Sequence, residues 1–326
     1  MTTRLITVVT PCYNEEGNVR ELYLAVRGVF EGLPQYRYEH LFIDNASQDA
    51  TAEILRALAA ADPKVKVIVN SRNFGPVRSP VHGILQAEGD AVIGIACDFQ
   101  EPPALIPDFL RAWEAGSPIV LGVKLEADEG RIMYMIRDAY YRLLARIADV
   151  EIVHQATGFG LYDQAIIRDM RRIDDPYPFL RGLIAEIGYR PVTVPFRQPV
   201  RRSGQSKIST YQLFDVAFQG FVNYSKVPLR LASLLGFAVA GVSLITAFGY
   251  LVAKLMFWSS FSLGLAPVVI GVFFVSAIQL IFIGVVGEYV GAIYTQVKHR
   301  PLVFEKERIN FAPQPATTAS SPTDRP

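Results

Sequence analysis

Three short segments of the chain concentrate side chains that can do chemistry: Pro11-Cys-Tyr-Asn-Glu-Glu16, Asp44-Asn-Ala-Ser-Gln-Asp49 and Asp98-Phe-Gln-Glu-Pro-Pro103. A carboxylate such as Asp44 accepts hydrogen bonds from a base N–H or from ribose hydroxyls, and the ring of Tyr13 can stack on the base. Asp98, with Gln100 two residues on, offers oxygen ligands to a hard divalent cation. Mg²⁺ takes only one or two protein carboxylates and draws the rest of its shell from phosphate oxygens and water. The set therefore suits a nucleotide-sugar with Mg²⁺ or Mn²⁺. There is no G-x-G-x-x-G fingerprint and no Walker motif, so the pocket is built for something other than NAD or ATP. Singly, each segment could be a loop or a helix cap, and Asp49 and Asn18 read as caps; the three in this order are harder to dismiss.

The elements that must position these segments follow from hydrophobic periodicity. Strands are expected at Ile6–Thr10, His40–Ile43, Lys64–Val69, Ala91–Ala96 and Pro118–Gly122. Helical spacing lies between them at Val19–Phe30, Thr51–Ala60, Val81–Ala87 and Ala104–Trp113. Strands alternating with helices of this length imply βαβ units and a parallel α/β sheet. Ligands of such sheets gather beyond the carboxyl ends of the strands, where all three polar segments stand.

The chain has 326 residues, 51% of them apolar, and a formal charge of +1, which gives no global field for nucleic acid. Two cysteines, Cys12 and Cys97, form no framework and fit a reduced compartment. The N-terminus reads as a strand and not as a signal peptide.

Apolar residues crowd the region after Pro228. Residues 231–253 form a run of about 23 without charge, roughly 34 Å as a helix. A second run follows Lys254. Its start, with Trp258, Ser259, Ser260 and Ser262, suits an interface turn, and its spanning part is expected at 265–286. Lys226 and Arg230 before the first run, and Lys298, Arg300, Lys306 and Arg308 after the second, outnumber Lys254 in the turn. The positive-inside rule then places both ends of a hairpin in the cytoplasm. Gly236 with Ala240, and Gly287 with Gly291, would let helices approach and permit a homo-oligomer. Glu288 reads as snorkelling to the interface. The aromatic-rich stretch 210–228 suits either an interfacial helix or a core helix. The tail is expected to be disordered beyond about residue 311. The domains expected are 1–209 as a cytosolic nucleotide-sugar domain, 210–228 as a juxtamembrane helix, 229–297 as a transmembrane hairpin and 298–326 as a cytosolic tail.

These features together resemble family 2 glycosyltransferases of the GT-A fold, and within them the polyisoprenyl-phosphate group that includes dolichol-phosphate mannose synthase and bactoprenol glucosyltransferases. The likeness runs from Ile6 to about Phe311. Besides the three segments it is carried by Ser71-Arg-Asn-Phe-Gly75, Arg202-Ser-Gly-Gln-Ser-Lys207 and the hairpin. It implies that Pro11, Tyr13, Glu15 and Asp44 hold the nucleoside, in a donor site that takes in Asn45, Ala96, Cys97 and Asp98. It implies that Asp98 and Gln100 hold the metal and that Lys124, Arg202 and Lys207 face phosphates. A donor diphosphate and an acceptor phosphate repel unless cations separate them, which suits Arg201, Arg202 and Lys207 to the lipid phosphate. A basic patch that only meets anionic lipid is the other reading of those three.

Three positions depart from the pattern. Ala96 stands where the first aspartate of Asp-x-Asp-x-Gln is usual, Asn45 replaces the second of a paired Asp-Asp, and Thr157-Gly-Phe-Gly-Leu161 replaces Gly-Asp-Phe-Arg-Leu. Weaker metal binding is expected from Ala96. A phosphate monoester is largely dianionic at neutral pH and needs alignment more than a strong base, so activity is still expected. The reaction expected is a single displacement at the anomeric carbon with inversion, with Asp98, Lys124, Arg202 and Lys207 as the catalytic set, at the cytoplasmic face of the plasma membrane. A silent membrane scaffold is the competing class, favoured by Ala96 and Gly158 and opposed by Asp98, Gln100 and the basic loop. A polysaccharide synthase lacks support, because neither Trp113 nor Trp258 follows an arginine directly. A transporter has less, since two spans without paired charges give no substrate path.

Overall fold

The computed structural model describes residues 3–125, 156–173, 175, 178–199, 227–256, 265–298 and 300–312. These fall into two compact units, one built on a sheet and one on two long helices.

The sheet unit begins with β1 (Arg4–Cys12), α1 (Val19–Glu31), β2 (Tyr36–Asp44), α2 (Thr51–Ala61), β3 (Val65–Asn70), α3 (Gly75–Gln86) and β4 (Ala91–Gly94). It continues with α4 (Ile106–Glu114), β5 (Ile119–Lys124), β6 (Ala156–Asp163), α5 (Gln164–Arg172), α6 (Leu180–Ile187) and β7 (Val192–Phe196). Every strand and helix expected from periodicity is present. The side chains of the strands alternate between two cores, as a pleated sheet requires. Ile6, Val8, Phe42, Val65 and Val67 pack with Leu22, Val26, Leu55, Phe109 and Trp113 under α1, α2 and α4. Val9, Leu41, Ile43 and Ile68 pack with Ile84, Ile166, Ile167 and Ile184 under α3, α5 and α6. The result is a three-layer α/β/α unit.

The sheet is mixed, which corrects the parallel expectation. Its order is β7-β5-β6-β4-β1-β2-β3-β8, where β8 is Glu305–Ile309. β1 pairs in parallel with β2 and β4, and β2 with β3. β6 runs antiparallel between β4 and β5, and β8 runs antiparallel along the outer edge of β3. β6 carries the Gly158-Phe-Gly160 departure, and packing explains it. A Cβ on Gly160 would collide with the Val120 carbonyl oxygen of β5, and Gly158 has φ +100°. An arginine or aspartate at these positions is incompatible with this backbone.

β8 revises the expected tail. After the long helices the chain returns to the sheet, with Val303 buried and Arg56 bound to Glu307 at 2.8 Å. Lys306 and Arg308, counted above as flanking charges, therefore lie in a sheet strand, and Arg308 is ion-paired with Glu305.

The other unit holds α7 (Val227–Met256) and α8 (Leu265–Val297), 30 and 33 residues long. At 1.5 Å per residue they span about 45 and 50 Å. Phe274–Val297 is long and apolar enough to cross a membrane, and none of it is buried; in α7 the apolar stretch is the shorter Leu229–Ser243. Large side chains such as Phe237, Ile245, Leu280, Ile283 and Ile293 are exposed. Gly236 sits against the Phe282 ring, where an added Cβ would come within 3.3 Å, so the two helices approach there. Gly287 and Gly291 meet nothing within 4 Å among the described residues.

Candidate functional site

The carboxyl ends of β1, β2 and β4 bring the three polar segments to one edge. Cys12 and Asp44, the last residues of β1 and β2, are register partners, and the Asn45 N–H continues the pairing by donating to the Cys12 carbonyl at 2.9 Å. The Ile95 N–H donates to the Val9 carbonyl at 3.0 Å, which carries the β4 segment alongside β1. Cys12 and Cys97 are both buried and free. Burial, and a hydrogen bond with the Cys97 thiol, push the Cys12 thiol well above its ordinary range.

Just past each of these strands one non-glycine residue takes a left-handed turn: Asn14 (φ 54°), Ala46 (φ 60°) and Phe99 (φ 61°). For an L-residue other than asparagine this costs about 1–2 kcal/mol and persists only where the surroundings enforce it. Here they do. The Asn14 N–H donates to Ser47 Oγ at 2.9 Å, and Asn14 Oδ1 accepts from the Gln48 N–H at 2.7 Å. The Glu15 N–H donates to Thr51 Oγ1 at 2.7 Å, and Glu16 Oε2 accepts from the Ala50 N–H. The first two segments are thus sewn together along their length.

Asp44 is fully buried and is held by Ser47, whose hydroxyl donates to Oδ1 at 2.5 Å and whose N–H donates to Oδ2 at 3.1 Å. Burial raises the Asp44 carboxyl above its ordinary value, and the Ser47 bonds offset part of that rise. Asn45 is the hub of a bracket. Its Oδ1 accepts from the Phe74 N–H at 2.9 Å and from Asn70 Nδ2 at 3.1 Å, while its Nδ2 donates to Asn73 Oδ1 at 2.9 Å. An aspartate could not donate, which is the physical reason for asparagine here.

Asp98 is buried, with Oδ1 accepting from the Gln100 N–H at 3.1 Å, and Gln100 is half-buried. Ala96 contributes only its backbone N–H, which donates to Glu101 Oε2 at 2.7 Å and closes the 96–101 loop around Phe99. Pro11, Tyr13 and Glu15 are half-buried at the same edge, and Glu15 Oε2 accepts from Asn18 Nδ2 at 2.6 Å. Asn18 occupies the N-cap position of α1 without capping it, whereas Asp49 does accept from the Thr51 N–H at 3.0 Å. Lys124 ends β5, separated from β4 by β6, so two strand spacings, about 10 Å, divide their columns. Arg201, Arg202 and Lys207 lie outside the described residues, as do the aromatic stretch 210–226 and the interface turn with Trp258.

Sequence reasoning missed Ser47 and Glu101. Both lie inside the motifs quoted above. The Asp-x-x-Ser spacing of an Asx-type turn was the available signal for Ser47. No local signal marked Asn70 or Asn73, which meet Asn45 only through the fold.

The model of the family described as "Glycosyl transferase family 2" matches residues 7–171, which contain all three segments. The chain is 33% identical to the glycosyltransferase YkcC of Bacillus subtilis (strain 168) over 91% of both proteins. It is 32% identical to the bactoprenol glucosyl transferase of Shigella phage SfV over 91% of this chain and 96% of that one. Each match leaves fewer residues uncovered than either long helix contains, so it reaches both helices. Among solved structures, glucosyl-3-phosphoglycerate synthase from Mycobacterium tuberculosis superposes with a TM-score of 0.46 at 20% identity, over 67% of this chain and 78% of that one. The family model, which covers half of the chain, and the relatives at 32–33% identity show that the chain belongs to glycosyl transferase family 2 and is a glycosyltransferase.

Proposed function

We propose that this glycosyltransferase moves a hexose from a UDP- or GDP-sugar to a polyisoprenyl phosphate, undecaprenyl or dolichyl, with inversion at the anomeric carbon, at the cytoplasmic face of the plasma membrane. The observation that carries the reading is the near full-length similarity to bactoprenol glucosyl transferases, which extends from the buried carboxylates Asp44 and Asp98 through both long helices.

The two helices are read as a membrane hairpin. The chain leaves the sheet unit after β7 and rejoins it as β8, so an even number of crossings is required. The domain division 1–209, 210–228 and 229–297 is kept in this reading, with 298–312 reassigned to the sheet.

Asp44 accepts from the base or ribose, with Pro11, Tyr13 and Glu15 beside it and Asn45, Ala96 and Cys97 forming the floor. Asp98 and Gln100 offer only oxygen, the donor type a hard cation takes. Among the described residues no group of three or more His, Cys, Asp or Glu is arranged to hold a metal. Such a site fits a cation shared with the donor diphosphate, and Mg²⁺ or Mn²⁺ bound there supplies charge neutralisation on the departing nucleoside diphosphate. Lys124, Arg202 and Lys207 add positive charge on the phosphates, with Arg201 beside them for the acceptor. The acceptor phosphate oxygen attacks the anomeric carbon, the glycosidic C–O bond to the diphosphate breaks, and the electron pair leaves on the nucleoside diphosphate. With Ala96 in place of a second carboxylate, metal binding is weak until nucleotide is present.

The test is transfer to undecaprenyl phosphate by the purified full chain in detergent, across a panel of UDP- and GDP-sugars with Mg²⁺ or Mn²⁺. A lipid-phosphate sugar from one donor, dependent on metal, is the expected product. No product from any donor would overturn the acceptor assignment, and tight metal binding without nucleotide would overturn the reading of Ala96.

A further inference from the structure

The segment that returns from α8 reaches the nucleotide side of the sheet. The Pro301 carbonyl accepts from Arg78 Nη2 at 2.7 Å, and the Phe304 carbonyl accepts from the Ser71 N–H at 2.8 Å. Val303 between them is buried. Glu305 follows, bound to His82 of α3 at 2.5 Å and to Arg308, which also donates to Gln86 Oε1 at 2.5 Å. The contacts on the far side of this clamp belong to the donor edge. The Phe304 ring stands 6.3 Å from that of Phe74, and the Arg72 and Arg78 guanidiniums lie 4.0 and 5.8 Å from the Phe74 ring. The Phe74 N–H is bound to Asn45 Oδ1, and Asn45 adjoins Asp44. An unbroken run of bonded and packed groups therefore joins residue 301 to the carboxylate read above as the nucleoside's partner.

We infer that segment 301–309 is part of the frame of the donor site, with Arg78, Val303 and Glu305 acting as positioning residues that hold the Asn45 bracket and, through it, Asp44. The inference deepens the proposed function and rests on it for the identity of the ligand. The donor pocket is then complete only once the chain has come back from the second long helix. A fragment ending at residue 209 contains Asp44 and Asp98 but lacks this brace. Linkage makes the coupling reciprocal: what β8 docking gives to nucleotide affinity, bound nucleotide gives back to β8.

The experiment compares Arg78→Ala and Glu305→Ala with the wild-type full chain in detergent, by amide hydrogen exchange, binding of UDP and GDP, and thermal unfolding. Exchange is expected to speed up at Asn45–Ser47 and Ser71–Gly75 with β4 and α5 unchanged. Nucleotide binding is expected to weaken about fivefold to tenfold, the worth of about one hydrogen bond, with donor KM raised and kcat close to wild type. Glu305→Gln, which keeps an acceptor for Arg308, should recover part of the affinity. Adding nucleotide to the wild type should slow exchange in Glu305–Ile309. Unchanged exchange at Asn45–Ser47 in both variants would overturn the inference, as would faster exchange spread evenly over the sheet, the mark of a merely structural role. A wild type that binds neither nucleotide would speak against the proposed function, while the exchange comparison would still decide whether the brace exists.

Discussion

The loop after β2 and the loop after β4 each present one buried carboxylate at the same sheet edge, but they are held in different ways. Asp44 sits in a loop fastened from outside: Asn14 from the β1 segment, Asn70, Asn73 and Phe74 from the end of β3 and, beyond them, the returning strand β8. In the Asp98 loop, Glu101 reaches back to the Ala96 N–H, the Asp98 carboxylate receives the Gln100 N–H, and the Phe99 ring packs into the core under α1 and α4. In the proposed reading the first arrangement holds a partner for the rigid nucleoside. In the proposed reading the second carboxylate serves the cation on the departing diphosphate. Removing one strand of a cross-braced loop should therefore move stability and binding. Removing the Glu101 tie within the Asp98 loop should move the metal-dependent step.

The largest effect should come from Asp98→Ala. If the carboxylate acts on developing charge, kcat should fall about a hundredfold to a thousandfold, whereas a purely structural role would show as a lower melting temperature with kcat retained. Full activity in steady-state assays would remove the metal assignment. Phe99→Gly should be the most damaging change to stability in the same loop. The lost burial of the aromatic ring, about 3–5 kcal/mol, exceeds the 1–2 kcal/mol recovered by relieving a left-handed backbone. Denaturant unfolding would measure the net loss.

Glu101→Ala and Ser47→Ala set the two loops directly against each other. Each removes a partner from a backbone or carboxylate group and should cost about 1–3 kcal/mol. Glu101→Ala should raise the Mn²⁺ concentration needed for half-maximal rate and leave nucleotide affinity nearly intact. Ser47→Ala, which strips Asp44 of its shortest bond, should weaken nucleotide binding and leave the metal dependence unchanged. Calorimetric titration and metal-dependence curves on both variants would show whether the effects cross over in this way. Equal shifts in both measurements would erase the distinction between the loops.

The outer brace can be loosened with acid. Partial burial alone would raise the Glu305 carboxyl, but the hydrogen bonds from Arg308 and His82 outweigh it and hold it at about 2, below the ordinary 4.5. A depressed folded-state value means that the stabilisation is complete above about pH 4.5 and is lost as pH falls through about 2. Because the side chain is still 20% exposed, solvent screening limits the contribution to about 1 kcal/mol. The melting temperature of the wild type should exceed that of Glu305→Gln near neutrality, and the gap should close between pH 4.5 and 2. A constant gap across that range would assign the effect to packing alone.

The carboxylates themselves were legible in the sequence because each follows an apolar run that reads as a strand, and the sheet rule says what such positions do. The braces were not. Asn14 and Ser47 are 33 residues apart, and Ser71 meets a carbonyl at Phe304 only after the chain has passed through both long helices. β8 escaped for a related reason. Glu305–Ile309 has four charged residues in five, a composition that no periodicity rule reads as a strand. It is one because Glu307 and Glu305 find Arg56, His82 and Arg308 at the sheet edge. β6 was hidden by Gly158 and Gly160, which weaken a strand by propensity yet are required here by the closeness of β5.

The smallest change predicted is also the one that separates the loops most cleanly. Ala46 and Phe99 share nearly the same left-handed backbone, φ 60° and 61°, one in each loop. At Ala46 the half-buried methyl group adds little packing, and the turn is enforced by the Ser47, Asn14 and Asp49 bonds around it. Ala46→Gly removes the Cβ clash while those bonds stay. The glycine also gives the unfolded chain more freedom, which offsets part of the gain. The net expected is a stabilisation of up to about 1 kcal/mol with donor KM unchanged, opposite in sign to Phe99→Gly. If Ala46→Gly instead destabilises and raises donor KM, the cross-bracing does not hold the loop by itself, and the alanine Cβ is one of the contacts that aim Asp44.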